Sequence, residues 1–509
     1  MRRTFAVAAC LVTALGFLAP AAFAQAPAPK VTINGLFDQV TSAGKNIYDG
    51  NFSRSSDQEW YARTRFRPDF TFEVGRTKAV LGIEIDLTYG QCGANDGGFP
   101  GNVSGTNSGC KSGSNGGLDL NTDVGGMMEI KWVYTEFDLT GKGSLLPFIP
   151  VLTVARVGGQ PFGTLANYKV AYANGDFAGI SAVTTFAPNL RTNLAYVQIE
   201  EEPAGGNRLV RTAANGRRGN DWAMIFSPEI TPFKGLDIKP LYSYFEAEGS
   251  TSGSARRTVT NLQGAVAPTQ EFRHTVGIDT RFRSGPFSLD PTIYYQFGDV
   301  AQRHADGRIM NGSINAWFVD VQAGFQLGPL LLEARGVWTT GNEADEDVRR
   351  KVRYYTPLNL DTGYWAGWSN IQALGVDYFN GGGGTLAGMS TLVGYDRYGR
   401  RGAAIRATYS LTPSLAFYGI VSPTWTDEKV DTDTNSGAAG RSTPTSGGDD
   451  RYIGTEIDLG TTWRFAPNTA FDLVGAYLFS GAALDTTDAS GSRDSKNGWT
   501  VAARVRLSF

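Results

Sequence analysis

The last eleven residues constrain this chain more than any other segment. Trp499, Val501, Ala503, Val505, Leu507 and Phe509 share one parity, and Thr500, Ala502, Arg504, Arg506 and Ser508 share the other. Successive side chains of a β-strand point to opposite faces, so this strand has one apolar face and one carrying two arginines. Such a strand fits hydrocarbon on one side and water on the other.

The pattern recurs upstream. Tyr452 to Phe465 places Ile453, Ile457, Leu459, Trp463 and Phe465 opposite Glu456, Asp458, Thr462 and Arg464. Ala466-Pro467-Asn468 reads as a tight turn, and Phe471 to Ser480 returns with Phe471, Leu473, Tyr477 and Phe479 opposite Asp472 and Ala476. Phe186-Ala187-Pro188-Asn189 repeats that turn, while Thr412-Pro413-Ser414, Ser284-Gly285-Pro286 and Gly328-Pro329 join other strand pairs. Beyond the first two dozen residues no run approaches the roughly 18 apolar residues of a membrane-spanning helix. A helical membrane protein is excluded. Charged residues make up 19% of the chain, below the roughly 25% of an average soluble domain.

These segments predict strands at 31–40, 59–75, 79–89, 127–139, 151–159, 178–186, 190–199, 222–230, 236–247, 273–283, 287–297, 314–327, 330–340, 400–411, 415–425, 451–465, 469–480 and 498–509. The fold class is all-β, a transmembrane antiparallel β-barrel of 18 strands with short periplasmic turns and long extracellular loops. An even number lets both chain termini lie on the periplasmic side of the membrane. The segments 127–160 and 222–247 alternate least cleanly, which makes 16 strands the rival count. Trp60, Trp132, Trp222, Trp338, Trp425 and Trp499 fall near strand ends, where an indole buries its ring and keeps its N–H at the wet interface.

Parity also assigns an interior. Asp69, Glu73, Glu84, Asp86, Asp237, Asp279, Asp320, Glu333, Glu456, Asp458 and Asp472 point inward with Arg63, Arg65, Arg67, Arg281, Arg283, Arg335, Arg406, Arg464, Arg504 and Arg506. Arginine on the lipid face at mid-bilayer costs about 2–4 kcal/mol, whereas a hydrated lumen accepts it. A barrel of this size leaves an aqueous channel unless loops fill it. The pore-lining candidates are therefore Arg63, Arg65, Arg67, Glu84, Asp86, Arg281, Arg283, Asp320, Arg335, Arg406, Glu456, Asp458, Arg464, Arg504 and Arg506. The triplet Arg63, Arg65 and Arg67 is one strand away from Arg504 and Arg506 across the closure. Two readings stay open for it: an anion-attracting ladder at the pore waist, or ion pairs with Glu84 and Asp86 that brace the wall.

At the other end, Arg2 and Arg3, the apolar run Phe5 to Leu18 and Ala22-Phe23-Ala24 read as a secretory signal peptide, residues 1–24, ahead of one barrel domain at 25–509. Cys10 leaves with the signal. Cys92 and Cys110, with seventeen residues between them, read as one disulfide in an oxidising compartment, stabilising by about 3 kcal/mol. No nucleophile-elbow pattern occurs, and neither His274 nor His304 has evident triad partners, so no catalytic residue and no cofactor is expected. Asp431 to Gly437 has the start of a calcium loop but Ser436 and Ser442 where glycine and glutamate belong, and no metal is expected. Gly381 to Gly384 is a flexible loop rather than a phosphate cradle. A net charge of −3 gives no reason to expect nucleic acid.

A terminal aromatic after such a strand resembles the assembly signal of bacterial outer-membrane barrels, and the whole chain resembles a Gram-negative outer-membrane porin. Gly454 to Gly460, followed by Phe471 to Gly481, resembles the C-terminal strand pair of the alginate-export type of 18-stranded barrel. The resemblance implies outer-membrane lipid and lipopolysaccharide as surroundings, insertion by the barrel-assembly machinery through Phe509, and a porin-like homotrimer. It implies a water-filled channel for small hydrophilic solutes or ions. The mixed lumen ranks export of an anionic polysaccharide second, and a non-transport barrel acting as adhesin, scaffold or embedded hydrolase third. Gly158 to Gly163 leads into Thr164 to Phe177 where porins fold a loop inward, though a surface loop would have the same composition. The largest loop, Gly341 to Tyr398, carries Tyr354, Tyr355, Tyr364, Trp365, Trp368, Tyr378 and Tyr395. The plainer reading packs these rings on neighbouring loops or the interface, and the other has them stack on sugars or plug the mouth.

This topology predicts that an epitope tag inserted at Gly437 or Gly491 is accessible to antibody on intact cells, whereas one at Asn189 is hidden until the outer membrane is permeabilised. Surface labelling at Asn189 would invert the assignment of loops and turns.

Overall fold

The computed structural model describes residues 28–47, 52, 58–89, 128–169, 171–201, 220–248, 268–303, 309–346, 350–358, 365, 367–372, 397–432, 448–488 and 491–509. Eighteen long strands form the wall. The first nine are β1 (Lys30–Lys45), β2 (Gln58–Val74), β3 (Thr77–Tyr89), β4 (Met128–Thr140), β5 (Leu152–Pro161), β6 (Asp176–Ala187), β7 (Leu190–Glu201), β8 (Asn220–Phe233) and β9 (Leu236–Glu248). The rest are β10 (Pro268–Ser284), β11 (Phe287–Arg303), β12 (Ile309–Leu327), β13 (Leu330–Thr339), β14 (Arg400–Thr412), β15 (Leu415–Val430), β16 (Asp450–Ala466), β17 (Thr469–Ser480) and β18 (Gly498–Ser508). Each pairs antiparallel with its chain neighbours, and β18 closes on β1 from Leu36 opposite Ser508 to Lys45 opposite Trp499. The count is 18, as the alternation predicts, not 16.

Seven two-residue turns and the connection 141–151 lie at one end of the barrel, and the longer loops lie at the other. At the turn before β17, Asn468 takes φ 56°, a left-handed conformation in which asparagine is enriched. The two stretches of weak alternation contain β-bulges. Register slips between Gly82 and Ile83 in the β3–β4 pairing, between Asp138 and Thr140 in β4–β5, and between Ile230 and Phe233 in β8–β9. An extra residue on one strand reverses the parity beyond it.

The polarity of the wall is inverted relative to a soluble protein. Ile130, Ile405 and Leu459 are about two-thirds exposed on the outer face (65%, 65% and 68%), while Asp279, Asp320, Asp458 and Thr500 are fully buried inside. Trp60, Trp222, Trp338, Trp425 and Trp499 stand on the outer face near the loop end, as expected of an interfacial belt. Trp132 does not. The slip opposite Gly82 turns Ile130 and Val133 both outward and swings Trp132 into the lumen, where its Nε1–H donates to Asp69 at 3.0 Å. A Cβ on Gly82 would lie 1.9 Å from that nitrogen, so glycine makes the room. His274 is also on the outer face, stacked on Phe297 at 4.9 Å with the Tyr242 hydroxyl 3.0 Å from its Nδ1.

The main apolar core lies inside the barrel. Phe162, Leu165 and Tyr172 from the β5–β6 loop join Tyr355, Leu358, Trp365 and Trp368 from the β13–β14 loop and inner-wall residues such as Phe177, Phe245, Tyr294 and Phe318. Both loops therefore fold inward. The plainer reading of the β13–β14 aromatics, packing on neighbouring loops or the interface, is corrected for Tyr355, Trp365 and Trp368. Several expectations fall outside the described residues: the leader, Cys92 and Cys110, the side chain of Asp86, His304, Tyr364, Tyr378, Tyr395, Gly381 to Gly384, and the calcium-like segment beyond Thr432.

The closing seam has its own lock. The Phe509 N–H and carbonyl bond to the Gly35 carbonyl and N–H at 3.0 and 2.8 Å, and the ring stacks on Phe66 at 6.2 Å. A Cβ on Gly35 would meet that ring at 2.6 Å, whereas one on Gly336 would meet nothing. Gly35→Val and deletion of Phe509 are therefore both expected to lower the yield of heat-modifiable, folded barrel in outer-membrane fractions, while Gly336→Val is not. Equal yields for the two valine variants would show that the seam tolerates an open notch.

Candidate functional site in the barrel lumen

Closure through β1 brings the two predicted arginine groups together in register. Arg63 on β2, Val40 on β1 and Arg504 on β18 form one rung; Arg65, Asp38 and Arg506 form the next; Arg67, Leu36 and Ser508 form the third. Glu84 on β3 holds Arg65 and Arg67 through separate oxygens, each at 2.9 Å. On the other flank Asp472 on β17 accepts from Arg504 at 3.1 Å and from Arg506 Nη2 at 3.3 Å, and its ion pair with Arg506 Nε is 2.9 Å long. Access to water is graded along this wall. The Arg65 side chain is 6% exposed, that of Arg67 26% and that of Arg506 37%. Asp38 was missed in the sequence reading although it has the inward parity of β1. Its signal is one carboxylate two residues from Val40 and opposite the outward Phe37.

The β5–β6 loop crosses the inner wall from β6 to β12. Lys239 on β9, fully buried, pairs with Glu229 at 3.0 Å and donates to the Thr164 carbonyl. Asp279 on β10 accepts the Tyr168 and Lys169 N–H groups at 2.6 and 3.2 Å and the Thr292 hydroxyl at 2.7 Å. Lys169 then reaches Asp320 on β12, which Arg335 holds from β13 at 3.0 Å. Tyr168 lies between two cations, with Lys239 4.5 Å and the Arg281 guanidinium 4.2 Å from its ring. Burial, reinforced by Glu229 and Asp237, pushes its phenol well above the ordinary range, so the ring stays neutral. Arg281 also donates to the Tyr168 carbonyl at 3.1 Å. Lys169 and Lys239 complete this network, and for a loop lysine no strand parity exists to reveal it.

The β13–β14 loop continues the lining to β16. The Tyr355 hydroxyl donates to the Ala171 carbonyl at 2.9 Å and the Leu358 N–H to the Tyr172 carbonyl at 2.8 Å, tying the two inward loops together. Trp365 Nε1–H donates to Ser422 at 2.8 Å. Arg335 lies over Trp365 and Trp368 at 5.2 and 5.8 Å, and Arg406 over Trp368 at 4.4 Å. Arg406 is fixed further by Glu333 at 2.7 Å and by the Gly367 carbonyl at 2.8 Å. Glu456 and Asp458 on β16 are buried beneath residues 369–372, to which both are hydrogen-bonded.

Other candidates sit at the turn-end rim. Arg464 is exposed there, and Arg283, 52% exposed, pairs with Asp290. Glu73 pairs with Lys30 at 3.5 Å, and Asp237 accepts the Thr231 hydroxyl at 2.7 Å.

No protein-family model matches the chain, and no curated protein does. Among solved structures it superposes on OccK8 (OprE) of Pseudomonas aeruginosa with a TM-score of 0.50 at 11% identity, covering 94% of this chain and 98% of that one. A BenF-like porin from Pseudomonas fluorescens Pf-5 gives a TM-score of 0.50 at 11% identity with the same two coverages, 94% and 98%. The chain therefore shares its fold with Gram-negative outer-membrane porins.

Asp320 is the shared partner of Lys169 and Arg335 in a dry part of the lumen. Removing one partner of a buried ion pair costs about 3–5 kcal/mol, so Asp320→Asn is expected to lower the temperature at which the folded band disappears in heat-modifiable electrophoresis. Glu73→Gln breaks a rim pair worth at most about 1 kcal/mol and leaves that temperature nearly unchanged. A tolerant Asp320 would mean that loop packing, not charge, holds the β5–β6 loop.

Proposed function

We propose that this chain forms an outer-membrane channel for the passive diffusion of small hydrophilic solutes or ions. One observation carries the reading: the closed wall is apolar where it faces out and charged where it faces in, the reverse of what a soluble barrel needs. The apolar belt with its tryptophans fits outer-membrane lipid and lipopolysaccharide. The leader at 1–24 fits export of a mature barrel from residue 25, and the Phe509 seam fits recognition by the assembly machinery.

The route has a side. Among the described residues the two inward loops line the wall from β6 to β16, which leaves β17, β18 and β1 to β5 as the wall along which solutes pass. That wall carries Arg63, Arg65, Arg67, Arg504 and Arg506 against Asp38, Asp69, Glu84 and Asp472, one more base than acids among these mid-wall residues, so its field favours anions. Arg67 and Arg506, the more exposed of these arginines, meet the solute, while Arg63, Arg65 and Arg504 are buried and set the field.

Purified protein in planar bilayers is expected to conduct with a reversal potential on the anion side. The double change Arg67→Ala with Arg506→Ala shifts that potential toward cations, and the shift shrinks in 1 M salt, where the Debye length falls to about 3 Å. An unchanged potential with a lowered unfolding temperature would leave these arginines as braces only. Absence of any conductance would overturn the channel itself, and block by anionic oligosaccharides would move the reading to polysaccharide export.

A further inference from the structure

Glu456 and Asp458 are neighbours on the inner face of β16 and are 1% and 0% exposed. The adjoining strands present no charge to Glu456: β15 places Ser422 beside it and β17 places Leu478. Its charge is met by one short stretch of the β13–β14 loop. Oε1 accepts the N–H groups of Asn370 and Ile371 at 2.6 and 2.7 Å, and Oε2 accepts the Ser369 hydroxyl and the Gln372 N–H at 2.5 and 2.9 Å. Asp458 takes one donor, the Asn370 side-chain amide at 2.7 Å, and its Oδ1 is buried with no hydrogen-bond partner.

From this geometry, and resting on the channel reading above, we propose that residues 367–372 are a strap latched on Glu456 and released from it as a unit, giving the channel two conductance levels. Two adjoining buried acids with no cation beside them among the described residues are costly to keep dry. Lifting the strap exchanges its donors for lumen water, which solvates both carboxylates, including the orphan Asp458 oxygen, so the latched and lifted states are close in free energy. Packing of Trp368 against Arg335 and Arg406, and the Gln372 bond to the Ser422 carbonyl at 3.2 Å, favour the latched state. Lifting uncovers the inner face of β14 to β16 and widens the lumen there. Glu456 is thus a positioning residue that acts through the strap.

The test is single-channel recording on the full chain. Wild type is expected to dwell mainly in a lower level with brief visits to a higher one. Glu456→Gln keeps one acceptor oxygen for Asn370 and Ile371 but sets an NH2 against the Gln372 N–H, and the ratio of high- to low-level dwell time should rise at least about tenfold, the effect of losing one charge-assisted hydrogen bond. Ser369→Ala leaves β16 untouched and should move the ratio in the same direction by less. It keeps the test open should the Gln variant fail to fold by heat-modifiable electrophoresis. Wild-type dwell times in a folded Glu456→Gln protein, or in Ser369→Ala when that is the variant that folds, would overturn the strap while leaving the channel standing. A wild type that never conducts would overturn both.

Discussion

Everything in this protein depends on the closing of β18 against β1. In hydrocarbon there is no water to satisfy a strand's N–H and C=O groups, and each left unpaired costs several kcal/mol. A sheet of 18 strands has two edges only until its ends meet. Here β1 pairs along one side with β2 and along the other with β18, and the Phe509 backbone completes the ladder at Gly35. Closure also defines an inside. It converts period-2 alternation into two solvents, lipid outside and a shielded lumen within, and so makes inward charge tolerable.

A lumen this wide would be weakly held if it were only water. Two loops fold into it, and their buried charges are handled in different ways. The β5–β6 loop brings its own cation, so that Lys169, Asp320 and Arg335 compensate one another. The β13–β14 loop brings only backbone and amide donors to Glu456 and Asp458. Buried ion pairs are costly to break because the remaining charge is stranded, whereas a carboxylate held by neutral donors finds an equivalent shell in water. The same lumen therefore holds one loop by ion pairs and the other by neutral donors. Opposite both stands the arginine wall, braced by Glu84 and Asp472, where structural and electrostatic roles coincide: the acids that hold the guanidiniums are fewer than the guanidiniums themselves.

Legibility followed locality. All 18 strands and the inward parity of the arginines could be read because alternation is a property of a few consecutive residues. Trp132 was misplaced because one bulge reverses parity, and a bulge is set by the partner strand, here by the space at Gly82. Asp38 was legible and overlooked. Lys169 and Lys239 were not marked as functional, since their roles depend on partners 151 and 75 residues away, Asp320 and the Thr164 carbonyl.

The sequence by itself determined the strands, their two faces, the even count and the sign of the charges that point inward, because side-chain direction in a strand depends only on parity. Tertiary structure decided which charges meet. Arg65 and Arg506 flank Asp38 in one rung, and Arg504 comes within 4.0 Å of it, only because the ends of the chain close. Glu456 receives the strap only because a loop entering 87 residues earlier turns into the lumen instead of outward. Loop backbone carries no alternation to say which way it turns. That direction is settled by long-range burial and hydrogen bonding inside a barrel that must already be closed.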